Sequence, residues 1–122
     1  MAGRCPGMGN KRSPRTIALD FDGVLHSYNG YKDGLIAGPI PGALDAVNKL
    51  LAAGHTVVVF STRPRPTIVD WLGRYSFPAL EVTDIKRPFF VIVDDRAVNF
   101  QGTWTPELVE QIKNFKPYWW SA

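Results

Sequence analysis

Two short apolar runs in this chain lead into paired acidic residues, and this constrains the fold more than any other feature. Residues 16–21 (TIALDF) carry Asp20 and pass straight into Asp22-Gly23, and residues 89–93 (FFVIV) run into Asp94-Asp95. An unbroken apolar run of four to eight residues is consistent with a strand buried on both faces. Such strands belong to parallel sheets covered on both sides. A third run, residues 56–60 (TVVVF), ends at Ser61-Thr62, and residues 79–83 form a further short candidate strand.

Segments of helical period lie between the runs. Pro41 opens the first in a position that suits Pro. Leu44, Val47, Leu50 and Leu51 share one face, and Gly54 follows as a stop. Residues 65–75 give a short second helix with Ile68, Leu72 and Tyr75 at helical spacing. Thr105 caps a last helix with Pro106 and Glu107 in its first turn, and Leu108, Ile112 and Phe115 on its inner face. Residues 26–40, rich in Gly with Tyr28 and Tyr31, read as a flexible loop or hairpin flap. Strands alternating with helices predict a three-layer, Rossmann-like α/β fold: a parallel sheet with helices on both faces and no cap domain. Its ligand crevice is expected outside the carboxyl ends of the strands, where Asp20, Asp22, Ser61, Thr62, Asp94 and Asp95 all stand.

Composition narrows the rest. A chain of 122 residues is one domain in size. Residues 1–14 are Gly, Pro and basic residues without period, which predicts a disordered basic tail ahead of a single domain over 15–122. The net charge of +3 is concentrated there, and such a tail can attract nucleic acid, although a plain solvated leader is the simpler expectation. The single cysteine, Cys5, allows no internal disulfide and fits a reducing cytoplasm. No apolar run approaches the roughly 20 residues of a membrane span, so no membrane partner is expected. His26 is expected on a surface loop and His55 beside a helix C-terminus. Trp104, Trp119 and Trp120 are expected as packing anchors rather than base-stacking platforms.

Four carboxylates brought to one sheet edge repel one another, so the cluster requires a cation or bound protons. The donors are all hard oxygens, which suits Mg²⁺. The plainer alternative is that these acids cap loops or pair with Arg63, Lys86 and Arg96.

Residues 17–25 (IALDFDGVL) resemble the first motif of the haloacid dehalogenase superfamily. Residues 57–61 (VVVFS) resemble its second motif, Lys86 stands where the third motif has its lysine, and residues 91–95 (VIVDD) resemble the double-Asp form of the fourth. The order and spacing fit across residues 16–99. The resemblance implies a small, capless phosphatase: a Mg²⁺-dependent phosphomonoester hydrolase working through an aspartyl-phosphate. Asp20 would be the nucleophile and Asp22 the acid/base partner. Asp20, the Asp22 carbonyl, Asp95 and Asp94 would hold the metal, and Ser61, Thr62, Arg63 and Lys86 would hold the phosphate. Family members often carry another acid where this chain has Asn99, which leaves either a weaker metal site or an Asn99 that orients Asp95. An uncapped crevice admits large substrates, so nucleic-acid ends, nucleotides, phosphoproteins and small phosphomonoesters are all compatible. The alternatives are a non-catalytic phosphate- or nucleic-acid-binding module of the same fold, and phosphoryl transfer to another acceptor. Neither the natural substrate nor the oligomeric state is fixed by these residues.

Overall fold

The computed structural model describes residues 14–30 and 37–120. The basic tail, apart from Pro14, and the middle of the Gly-rich loop lie outside the described residues.

The element order is β1 (Thr16–Leu19), α1 (Ala43–Ala52), β2 (Thr56–Phe60), α2 (Arg65–Arg74), β3 (Glu81–Thr83), β4 (Val91–Val93) and α3 (Pro106–Lys113). The four strands form one sheet in the order β3-β2-β1-β4, with every pairing parallel. This is the expected small Rossmann-like α/β architecture without a cap. The register sets Ile17 beside Val57 and Val91, and Leu19 beside Val59 and Val93. Side chains in register share a face. Ile17, Leu19, Val57, Val59 and Val82 therefore meet Ala43 and Val47 of α1 and Ile68, Trp71 and Leu72 of α2 in one core. Ala18 and Val58, fully buried, belong to the opposite face.

Trp71 shows how the pieces are tied. It is 1% exposed, it meets Phe21 edge-on at 4.9 Å, and its indole N–H donates to the Ala37 carbonyl at 3.0 Å. One side chain of α2 thus holds both the turn after β1 and the far end of the Gly-rich loop. Truncating a buried aromatic of this kind typically costs about 3–5 kcal/mol. That loop has a hairpin base, as expected: Ser27 N–H donates to the Gly38 carbonyl at 3.0 Å and Ile40 N–H to the Leu25 carbonyl at 2.9 Å.

His55 stands at the end of α1, as expected, where its backbone N–H donates to the Leu50 carbonyl at 3.2 Å; its Nδ1 also accepts the Arg15 N–H at 3.2 Å and so pins the entry to β1. One sequence expectation needs correction here. The inner face expected for α3 is only partly covered. Leu108 and Phe115 are half-buried and Ile112 is exposed. The helix forms for local reasons, with Thr105 Oγ1 accepting the Leu108 N–H at 3.1 Å, but it packs against no strand. Its amphipathic pattern therefore has no sheet beneath it among the described residues.

The strand order decides where a ligand can sit. From β1 the chain proceeds through β2 to β3 on one side, and β4 returns to the other side of β1. The order reverses between β1 and β4, and in open parallel sheets a crevice forms at such a reversal, outside the carboxyl ends of the strands.

Candidate active site

Asp20 directly follows β1, and Asp94 and Asp95 directly follow β4, on the two sides of that reversal. The backbone sets them there. Asp20 N–H donates to the Val93 carbonyl at 2.9 Å, extending the β1–β4 ladder by one residue. The chain then turns sharply, with the Phe21 carbonyl accepting the N–H groups of Leu25 at 3.0 Å and His26 at 2.9 Å. Gly23 takes φ +83° in this turn, a left-handed conformation that L side chains rarely adopt. A Cβ on Gly23 would lie 2.3 Å from Asp95 Oδ2. The glycine therefore satisfies both the turn and the close approach of Asp95.

One carboxylate oxygen from each of Asp20, Asp94 and Asp95 lies within 4.8 Å of the others. Burial, a hydrogen bond to Asp95 and the charge of Asp94 push the Asp20 carboxyl up to about 8. Asp95, against its own burial, is held below its ordinary value by hydrogen bonds from Asp20 and from the Trp119 indole. The pair thus retains a proton that three separated carboxylates would have lost. A divalent cation would do the same neutralising work, and the oxygen-only donor set fits a hard ion such as Mg²⁺.

Asp22 is oriented differently. Its Oδ1 meets His26 Nδ1 at 2.9 Å and its Oδ2 accepts from Arg63 Nε at 2.7 Å. His26 is not a surface histidine: it is 4% exposed and stacked on Phe21 at 5.3 Å with the planes 10° apart. Its Nε2 is buried and has no hydrogen-bond partner among the described residues. The sequence concealed this because the ring is covered by Phe21 and by Trp71 from α2, residues whose proximity only the fold creates. Arg63, expected on phosphate, is turned to Asp22, and its N–H donates to Ser61 Oγ at 3.2 Å.

A cleft of about 330 Å³ opens over these groups, lined by Asp20, Asp22, Asp94 and Asp95, by Ser61 and Thr62 from the end of β2, and by the rings of Tyr28 and Phe60. Asp84 and Arg96 complete it. The structure therefore brings together the three strand ends marked in the sequence. Lys86 is exposed and lies outside this lining, two residues beyond Asp84. Arg87 pairs with Glu81 at 3.0 Å, and both line a separate cavity with Thr16 and Thr56, at the start of the strands. It therefore stands at the opposite end of the sheet.

Sequence reasoning missed the C-terminal residues. Trp119 donates its indole N–H to Asp95 Oδ2, and Tyr118 OH donates to the Gly23 carbonyl at 2.6 Å. The expected partner of Asp95, Asn99, is exposed. Trp104 and Trp120 are 70% and 48% exposed, so they do not serve as buried anchors. No periodicity links Trp119 to Asp95, and the three aromatics after Pro117 carry no signal in sequence of which residue they meet.

No family model and no curated protein matches this sequence. Among solved structures, a conserved protein from Bacteroides thetaiotaomicron is similar, with a TM-score of 0.56 and 22% identity over 85% of this chain and 93% of that one. At that identity the likeness establishes the fold: a small Rossmann-like parallel α/β domain. No helix among the described residues is long and apolar enough to cross a membrane.

Proposed function

We propose that this chain is a Mg²⁺-dependent phosphomonoester hydrolase of haloacid dehalogenase type that works through an aspartyl-phosphate on Asp20, in the cytoplasm. The observation that carries the reading is the convergence of Asp20, Asp94 and Asp95 at the β1–β4 reversal, facing Ser61 and Thr62 across one cleft. In the first step an Asp20 oxygen attacks phosphorus, the bond from phosphorus to the ester oxygen breaks, and Asp22 gives that oxygen its proton. In the second, Asp22 takes a proton from water, the water oxygen attacks phosphorus, and inorganic phosphate leaves with Asp20 restored. A carboxylate nucleophile divides one hard hydrolysis into two easier steps. Mg²⁺ held by Asp20, Asp94, Asp95 and the Asp22 carbonyl would offset the repulsion between a carboxylate and a phosphate. Ser61, Thr62, Lys86 and a re-aimed Arg63 would hold phosphoryl oxygens. The open cleft suits nucleotides or phosphorylated nucleic-acid ends among larger substrates.

A second reading is a binding module for phosphate or nucleic acid without turnover. Its support is that both oxygens of Asp22 are already engaged, by His26 and Arg63, and that Lys86 stands outside the cleft lining. Release of phosphate from an aryl phosphate, with Mg²⁺ and with chelator, separates the two. Turnover that needs Mg²⁺ is expected; phosphate binding without turnover on any phosphoester favours the module.

A further inference from the structure

We propose that the C-terminal turn, residues 117–120, is a working part of the acidic site, with Trp119 a positioning residue that fixes Asp95 so that its carboxylate is presented to a divalent cation. The inference rests on the metal reading above and deepens it.

Trp119 is gripped from several sides by residues of the site. Its indole N–H is spent on Asp95 Oδ2. The Tyr28 ring meets it edge-on at 4.9 Å and 89°, and the Arg96 guanidinium lies 5.0 Å from its ring. Tyr118 ties the same turn to the Gly23 carbonyl at 2.6 Å, and Trp120 N–H closes the turn on the Pro117 carbonyl at 3.1 Å. Pro117 is buried. The turn therefore bridges the loop after β1 and the end of β4, the two segments that carry the converging acids.

The contact is directional. Asp95 Oδ2 lies between the Trp119 N–H and Gly23, where a Cβ would be 2.3 Å from it and 3.1 Å from the indole nitrogen. With Oδ2 committed, Oδ1 would be the oxygen left to ligate a cation, and the carboxylate cannot rotate without giving up a hydrogen bond to a charged acceptor. Partners that hold ligating carboxylates in this way typically carry 10–100-fold in metal affinity. A tryptophan that merely packed would meet the site through its ring and leave its N–H elsewhere.

The full chain, labelled with ¹⁵N, tests this by its tryptophan indole N–H resonances during titration with MgCl₂, with calorimetry on the same samples. Trp119→Phe keeps an aromatic ring against Tyr28 and removes only the donor; it also assigns the resonance by its loss. Should that variant fail to fold, contacts to the Tyr28 ring assign the resonance in the wild type, and the titration stands alone. The expected result is a Trp119 resonance that moves in step with Mg²⁺ saturation, and an affinity about 10–100-fold weaker in Trp119→Phe. Mg²⁺ binding with an unmoved Trp119 resonance, or with unchanged affinity in Trp119→Phe, overturns the inference and leaves the metal reading standing. Absence of Mg²⁺ binding in the wild type overturns the metal reading itself, and this inference with it.

Discussion

Arg63 Nε donates to Asp22 Oδ2 at 2.7 Å, joining the loop after β2 to the turn after β1 across 41 positions of sequence. Both partners are largely shielded, with Arg63 9% and Asp22 22% exposed in their side chains. On the proposed mechanism the pair would fix the carboxyl that transfers the proton, and a bound phosphate could recruit the Arg63 guanidinium. Asp22→Asn removes the proton carrier and leaves Asp20 and the backbone carbonyl in place. General acid–base catalysis typically contributes roughly 10²–10⁴-fold. Turnover of Asp22→Asn should fall by that order on an alkyl phosphate and by far less on nitrophenyl phosphate, whose leaving group needs no proton. Equal losses on the two substrates remove the general-acid role.

The raised Asp20 carboxyl predicts a stability trend in chelator. Its value goes from an ordinary 3.8 to about 8 in the folded chain, so between those values the native state holds a proton that the unfolded state has lost. The stabilisation is fully present below about 3.8 and is lost as pH rises towards 8. Asp95, shifted downward, acts with the opposite sign and only at lower pH. The metal-free Tm should therefore fall between pH 4 and pH 8, and Asp20→Asn should flatten that fall. Mg²⁺, which needs the ionised ligands, should stabilise more as pH rises. Thermal melts across this range check all three, and an unchanged slope in Asp20→Asn contradicts the assignment.

Gly23 and Gly42 form a matched pair. Both are left-handed, at φ +83° and +89°, but a Cβ at Gly42 meets nothing within 4 Å while one at Gly23 strikes Asp95. A left-handed conformation costs an L residue about 1–2 kcal/mol. Gly42→Ala should lose about that much stability and keep its turnover. Gly23→Ala should lose more stability and nearly all turnover, because Asp95 must move. Denaturant melts and phosphate release on both variants check this.

Lys86 and Arg87 are adjacent and compete for the place of the third-motif cation. Arg87 is paired with Glu81 at the start of the strands, so Arg87→Ala should cost ~1 kcal/mol of stability or less and leave turnover nearly unchanged. Lys86 follows Asp84 at the cleft by two residues and is the nearer candidate for the phosphoryl group. Lys86→Ala should cut turnover by about 10²–10³-fold, as loss of one charge-stabilising donor does. The reverse ranking assigns the third motif to Arg87.

The strand ends were legible because each apolar run stops at a polar residue, and a buried strand stops where its chain meets solvent. The Thr105 cap was legible because it is local chemistry. His26 and Trp119 were not, and Arg63 was legible only as one of three cations open to pairing with these acids. Each takes its role from a partner on another element: the buried stack of His26 with Phe21 and Trp71, the Arg63–Asp22 pair, and the indole on Asp95. The half-covered α3 was illegible for a related reason. Leu108, Ile112 and Phe115 state a face, but a period in sequence does not say whether a sheet lies opposite it.

On the proposed mechanism Asp20 carries the phosphoryl group between the two steps. Acid quenching of the full chain during turnover of an aryl phosphate with Mg²⁺, followed by mass spectrometry of its peptides, tests this. A phosphoryl group is expected on Asp20, absent in chelator and absent in Asp20→Asn. Sustained phosphate release by Asp20→Asn, or turnover in the wild type with the phosphoryl group on another residue, would contradict it.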